Sequence, residues 1–239
     1  MTLAMPLPGG TVATFPLPDA APDRFDPIGM AEEAADLPPA DALALLDDAV
    51  YAAASDAGAL GDDAIEDDGQ VVLEARPPED PADYDPLALY DLATVLATRA
   101  GTRTDDLTAA LADFDAAIAV LASLHHVRDA APLHAFGYDA AHLDAERADV
   151  HIERALARTR AGQDAADDLD RARTLAPASA AVLNNLADAL RKAGRLADAL
   201  ATVDVAETAL TEDDDDDLRE IIAETRDEIR ADRERPGTE

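Results

Sequence analysis

The sequence predicts an all-α fold built from stacked helix-turn-helix units. Three observations predict it. Alanine carries half of the apolar content, while Leu, Ile, Val and Phe together make up only 51 of 239 residues; that balance favours closely approaching helices over sheets. From Leu87 nearly to the C-terminus, apolar residues recur at three- and four-residue spacing. The stretch Leu183–Ala206 also matches the chain 34 residues earlier: Leu186 falls on Ile152, Leu190 on Leu156, Ala199 on Ala165, Val203 on Leu169 and Ala206 on Ala172.

Residues 1–38 are rich in proline and contain Gly9-Gly10, so they read as an extended or disordered lead, with a short strand at Thr11–Phe15 that would strap the helical body. Residues 39–86 comprise a helix and a linker. Leu43, Leu46, Val50 and Ala53 space a helix over Pro39–Ala57, and Pro38-Pro39 suit its first turn. The rest is acidic and proline-rich, with a short strand at Val71–Leu73. Asp62–Glu74 is no calcium loop: with Gly69 sixth, the first and twelfth places fall on Ala64 and Ala75, which offer no side-chain oxygen.

Residues 87–213 are expected to be helical throughout. One apolar stripe is Leu89, Leu92, Ala93 and Leu96, and the next is Ala110, Leu111, Phe114, Ala117 and Ile118. A third helix runs from near Asp139 toward Arg160, Gly162 closes it, and Ala165, Leu169 and Ala172 follow. Gly194 then joins the two helices of Leu183–Ala206. In residues 214–239, Leu218, Ile221, Ile222 and Ile229 give one apolar face, the mark of a capping helix, ahead of a frayed tail.

A 34-residue helix-turn-helix period resembles the tetratricopeptide repeat. That family places a small residue eighth, Ala twentieth, a large apolar residue twenty-fourth, Ala twenty-seventh and Pro thirty-second. Units at 146–179 and 180–213 fit this through Ala187, Ala165 and Ala199, Leu169 and Val203, Ala172 and Ala206, and Pro177. Glu153 and Thr211 depart from it. An earlier unit near Pro86 fits with about five extra residues in its turn, which makes roughly three units. The resemblance implies a superhelix whose first helices line a concave groove.

The net charge is −33, and Lys192 is the single lysine. Such a chain repels nucleic acid and anionic lipid. The acidic, lysine-poor composition resembles that of haloarchaeal cytoplasmic proteins; a protein that binds basic partners is the other reading of the charge. Cysteine is absent, which excludes disulfides and thiolate chemistry. No signal peptide and no run approaching a membrane span is read, so a cytoplasmic protein is expected. Nucleophile-elbow, phosphate-loop and dinucleotide motifs are missing, so no enzyme activity and no cofactor are expected.

Residues 147–195 carry nine basic side chains against seven acidic ones. Arg147, His151, Arg154 and Arg158 form one helical stripe. The resemblance places them, with Asn184, Asn185, Asp188, Arg191 and Lys192, on or near the groove. The function expected from it is a non-enzymatic scaffold or adaptor holding a protein or an acidic peptide. The plainer reading pairs these arginines with Glu146, Asp149, Asp167 and their neighbours. A second class of function uses the five histidines His125, His126, His134, His142 and His151 as a metal site, although no HExxH is present. A third is self-association into a homo-oligomer through residues 39–57.

Overall fold

Proline opens several of the elements of this chain, and aspartate caps five of the ten α-helices described. The computed structural model describes residues 2–17, 26–58, 64–67, 70–73, 79–212 and 214–235. The fold is all-α with two small antiparallel hairpins. It divides into two compact units, residues 1–143 and 144–239. Asp213, Phe25 and much of the acidic stretch Asp62–Glu74 lie outside the described residues.

The first unit begins with strands β1 (Thr2–Pro6) and β2 (Val12–Pro16). Leu3 pairs with Phe15 and Met5 with Ala13, and all four are buried by the alternation of the strands. The lead read as extended or disordered is therefore an ordered hairpin over residues 2–16. Its first strand was hidden by Pro6 and Pro8, which interrupt the Leu3, Met5, Leu7 alternation. The connecting 3₁₀ turn Pro8–Gly10 requires glycine at position 9 twice over: φ is +82°, and a Cβ there would stand 2.6 Å from His126 Cδ2.

Helix α1 (Pro27–Ala34) was not foreseen; Asp26 accepts from the Gly29 amide at 3.1 Å to cap it. Then follow α2 (Pro39–Asp56), α3 (Pro86–Thr102) and α4 (Leu107–Ser123). Between α2 and α3, β3 (Ala64–Asp67) pairs with β4 (Gln70–Leu73), so the strand expected at Val71–Leu73 has a partner. Asp85 and Asp106 cap α3 and α4. The four helices pack in chain order, with β2 laid along α4. Much of α2 is buried, from Leu46 through Ala49–Ala54. The apolar face of residues 39–57, read as a surface for self-association, is covered by α1 and α3.

One ion-pair network crosses this core. Arg99 on α3 donates to both carboxylate oxygens of Asp113 on α4, to Asp47 on α2 at 2.9 Å and to the Pro16 carbonyl of β2 at 3.0 Å. Arg103 joins at 3.0 Å from Asp47. Burial pushes the Asp113 carboxyl above the usual range, against the opposing pull of Arg99 and Arg103. By length and composition alone, Leu107–His126 is apolar enough to cross a membrane, which corrects the reading that no run approaches that length. Half of its most apolar window is buried in this unit, and Asp113 sits in its middle.

The unit ends on α5 (Ala131–Ala135), stopped by paired bonds from Tyr138 N to Leu133 O at 3.0 Å and from Gly137 N to His134 O at 3.1 Å, with Gly137 at φ +82°. Helix α6 (Ala140–Arg160) begins here, capped by Asp139, and continues into the second unit.

In the second unit α6 is followed by α7 (Ala166–Leu175), α8 (Ala180–Lys192), α9 (Leu196–Ala209) and α10 (Asp216–Glu234). Helices α6 and α8 end in the same way. Gln163 N bonds Arg158 O and Gly162 N bonds Thr159 O; Arg195 N bonds Leu190 O and Gly194 N bonds Arg191 O. Gly162 and Gly194 take φ of +69° and +76°.

Ile152 and Leu186, Ala165 and Ala199, Leu169 and Val203, and Ala172 and Ala206 are all buried in one cluster with Ile222 and Ile229 of α10. Two matched positions differ. Ala187 is buried where Glu153 is exposed, and α7 starts a turn later than its counterpart α9 because Gly162-Gln163-Asp164 form the turn. Asp168 and Thr202, also 34 apart, are both buried and polar. Thr202 takes a bond from Arg173 at 3.1 Å.

Candidate functional site

The basic stripe of α6 converges on one carboxylate, a neighbour of the Asp167 named from the sequence. Asp168, in the first turn of α7, is 2% exposed. Arg154 reaches its Oδ1 with Nε at 3.0 Å and Nη2 at 2.5 Å, Arg158 reaches Oδ2 at 2.8 Å, and His151 Nδ1 lies 3.0 Å from Oδ1. Burial works to raise the Asp168 pKa. Hydrogen bonds from His151 and Arg154 and the charges of Arg154 and Arg158 outweigh it, and the net shift is downward. Three of the four residues of the stripe thus face α7 and are held there, and the partner is Asp168 rather than the adjacent Asp167.

Arg147, the fourth, stands apart. Its Nη2 meets Asp144 at 3.0 Å, while its Nε is buried with no hydrogen-bond partner. Burial depresses its pKa, Asp144 opposes that, and the nearby positive charge of Arg171 depresses it further. Arg171 itself is exposed. A half-buried guanidinium beside a second, exposed arginine is an arrangement that attracts an anion.

On α8, Asn184 is buried with no donor to its Oδ1. Asn185 is exposed and donates to Asp149 of α6 at 3.1 Å. Burial, opposed by that bond and aided by Glu146, raises the Asp149 pKa. Asp188 receives Arg191 at 2.7 Å and Lys192 at 2.5 Å. Burial opposes their pull, and the Asp188 pKa falls. Arg191 continues to Glu228 and Asp232 of α10, both at 2.9 Å, so it fastens the last helix to the stack. The nine residues read as a groove therefore separate into a buried cage on Asp168, an ion-pair clamp to α10, and the positions Arg147, Asn184 and Asn185.

The histidines, close in sequence, go to different tasks. His125 and His126 sit in a 3₁₀ turn after α4, His134 on α5, His142 beside Tyr90, and His151 on Asp168. Among the described residues no three His, Asp or Glu side chains come together as metal ligands would. No protein-family model, curated protein or solved structure matches the chain.

Proposed function

We propose that the chain is a non-enzymatic scaffold of tetratricopeptide-like units that holds a protein segment bearing carboxylates. The unit assignment is supported by burial repeating at 34 residues and by two helix-ending glycine turns of the same form, Gly162 and Gly194, 32 residues apart. The observation that carries the partner's chemistry is Arg147. Its buried, unpaired Nε and its neighbour Arg171 leave a positive site in a chain of net charge −33. A partner carboxylate would pair with the exposed Arg171 beside Arg147, and Asn185, exposed on α8, would bond a peptide backbone.

Selection of random peptides on the purified protein tests this. The selected peptides should be enriched in Asp and Glu. Arg171→Glu, at an exposed site, should leave thermal unfolding unchanged and remove the enrichment. No enrichment, or enrichment that survives Arg171→Glu, would refute the reading.

A further inference from the structure

We propose a second binding surface, on the first unit: an aromatic platform that takes the guanidinium of an arginine-bearing segment. The chain has four tyrosines, four phenylalanines and no tryptophan. Phe15, Phe114, Tyr51 and Tyr84 are buried. The other aromatic side chains among the described residues, Tyr90, Phe136 and Tyr138, come together at the surface with His142.

Tyr90 OH lies 3.2 Å from His142 Nε2, so these two rings stand edge to edge. Tyr138 stacks with Tyr90 at 4.4 Å and 21°, and with His142 at 4.8 Å and 13°. The Tyr90 and His142 centroids are 6.1 Å apart, well short of the sum of those stacking distances. Both rings therefore form a floor on one side of Tyr138. Phe136, at 6.2 Å and 28° from Tyr138, is 65% exposed. The Gly137 turn, anchored by buried Leu133, fixes the two projecting rings on either side of it.

An ordered, exposed aromatic group that is not used to fill a core marks a contact surface. Charge selects the occupant. Residues 1–143 carry 27 carboxylate side chains and five arginines. Of those arginines, Arg99, Arg103 and Arg128 are paired with aspartates. Asp139, next to Tyr138, caps α6 through the His142 amide and sets a carboxylate beside the platform. A planar cation stacks on aromatic faces and is drawn to carboxylates, and guanidinium offers both properties. An anionic base or phosphate is repelled by the same field.

The test is titration of the full chain with a capped glycine peptide carrying one arginine, and with its citrulline counterpart of equal shape and no charge. Ring-proton NMR shifts report binding. The arginine peptide should shift the Tyr138 and Phe136 resonances, and the citrulline peptide should bind about tenfold more weakly. Phe136→Ala, at an exposed site, should weaken the arginine peptide several-fold with unchanged thermal unfolding. Equal binding of the citrulline peptide, tighter binding of adenosine monophosphate, or binding unaffected by Phe136→Ala would overturn the proposal. So would a parent dimer in sedimentation that Phe136→Ala converts to monomer, since a second copy would then be the occupant.

Discussion

Arg99 grips Asp113 with two nitrogens, Nε at 2.9 Å from Oδ2 and Nη2 at 2.6 Å from Oδ1, and both side chains are fully buried. A bidentate pair in a dry core is costly to half-remove, because the survivor keeps its desolvation cost and loses its partner. Arg99→Met should lower the stability of the first unit by about 3–5 kcal/mol in denaturant unfolding. The double variant Arg99→Met, Asp113→Leu should recover most of that loss. If the double variant is worse than the single one, the bonds to Asp47 and Pro16 carry more than the pair does.

Asp168 should give the second unit its sensitivity to acid. Its folded pKa is depressed, so its contribution is fully present above the unfolded value near ~3.9 and is lost as pH falls through the folded value. Asp113 shifts the other way: its burial penalty fades as it takes up a proton, so it adds no such loss. Asp168→Asn should cost about 3 kcal/mol at neutral pH and flatten the acid branch of the unfolding curve. Denaturant midpoints measured from pH 7 downward check both effects; parallel acid branches would place the sensitivity elsewhere.

Tyr84 offers the opposite case. Its ring is buried and its hydroxyl has no hydrogen-bond partner, and burial pushes the phenol up to about 12. Tyr84→Phe removes that unmet donor and should raise stability by about 1 kcal/mol. A raised phenol pKa also means that the parent loses stability as pH climbs from the unfolded value near ~10 toward the folded one, a loss the variant should lack. Thermal melts across the alkaline range decide it.

Ala199 is fully buried in the second unit's core. Ala199→Arg should overpack that core and cost about 1–3 kcal/mol or more, whereas Glu153→Arg, at an exposed site, should change stability by less than about 0.5 kcal/mol. Equal melting of the two variants would contradict the register of α6 to α9.

The helices and their small contacts were legible because periodicity and alanine are local signals: the positions matched at 34 residues are the ones the core encloses. The hairpin over residues 2–16 was half legible, since prolines masked the alternation of β1. The fate of the α6 stripe was legible as the plainer reading, pairing with nearby carboxylates, but not down to the residue. Whether Asp167 or Asp168 turns inward depends on where α7 begins, and Gly162-Gln163-Asp164 move that start by a turn. The aromatic group was invisible for a related reason: Tyr90 and His142 are 52 positions apart, and only folding joins them.

The buried polar residue at one shared place in the two helix pairs limits how this chain can be rearranged. Asp168 anchors two arginines and a histidine, and Thr202 serves a single arginine. Copies of 146–179 and 180–213 are therefore not interchangeable parts. A graft that brings α6 without α7 strands its positive charges, and one that brings α7 without α6 buries a bare carboxylate. Duplication or shuffling of this stack succeeds only when each helix travels with its own counter-charge, so the heritable block is the pair.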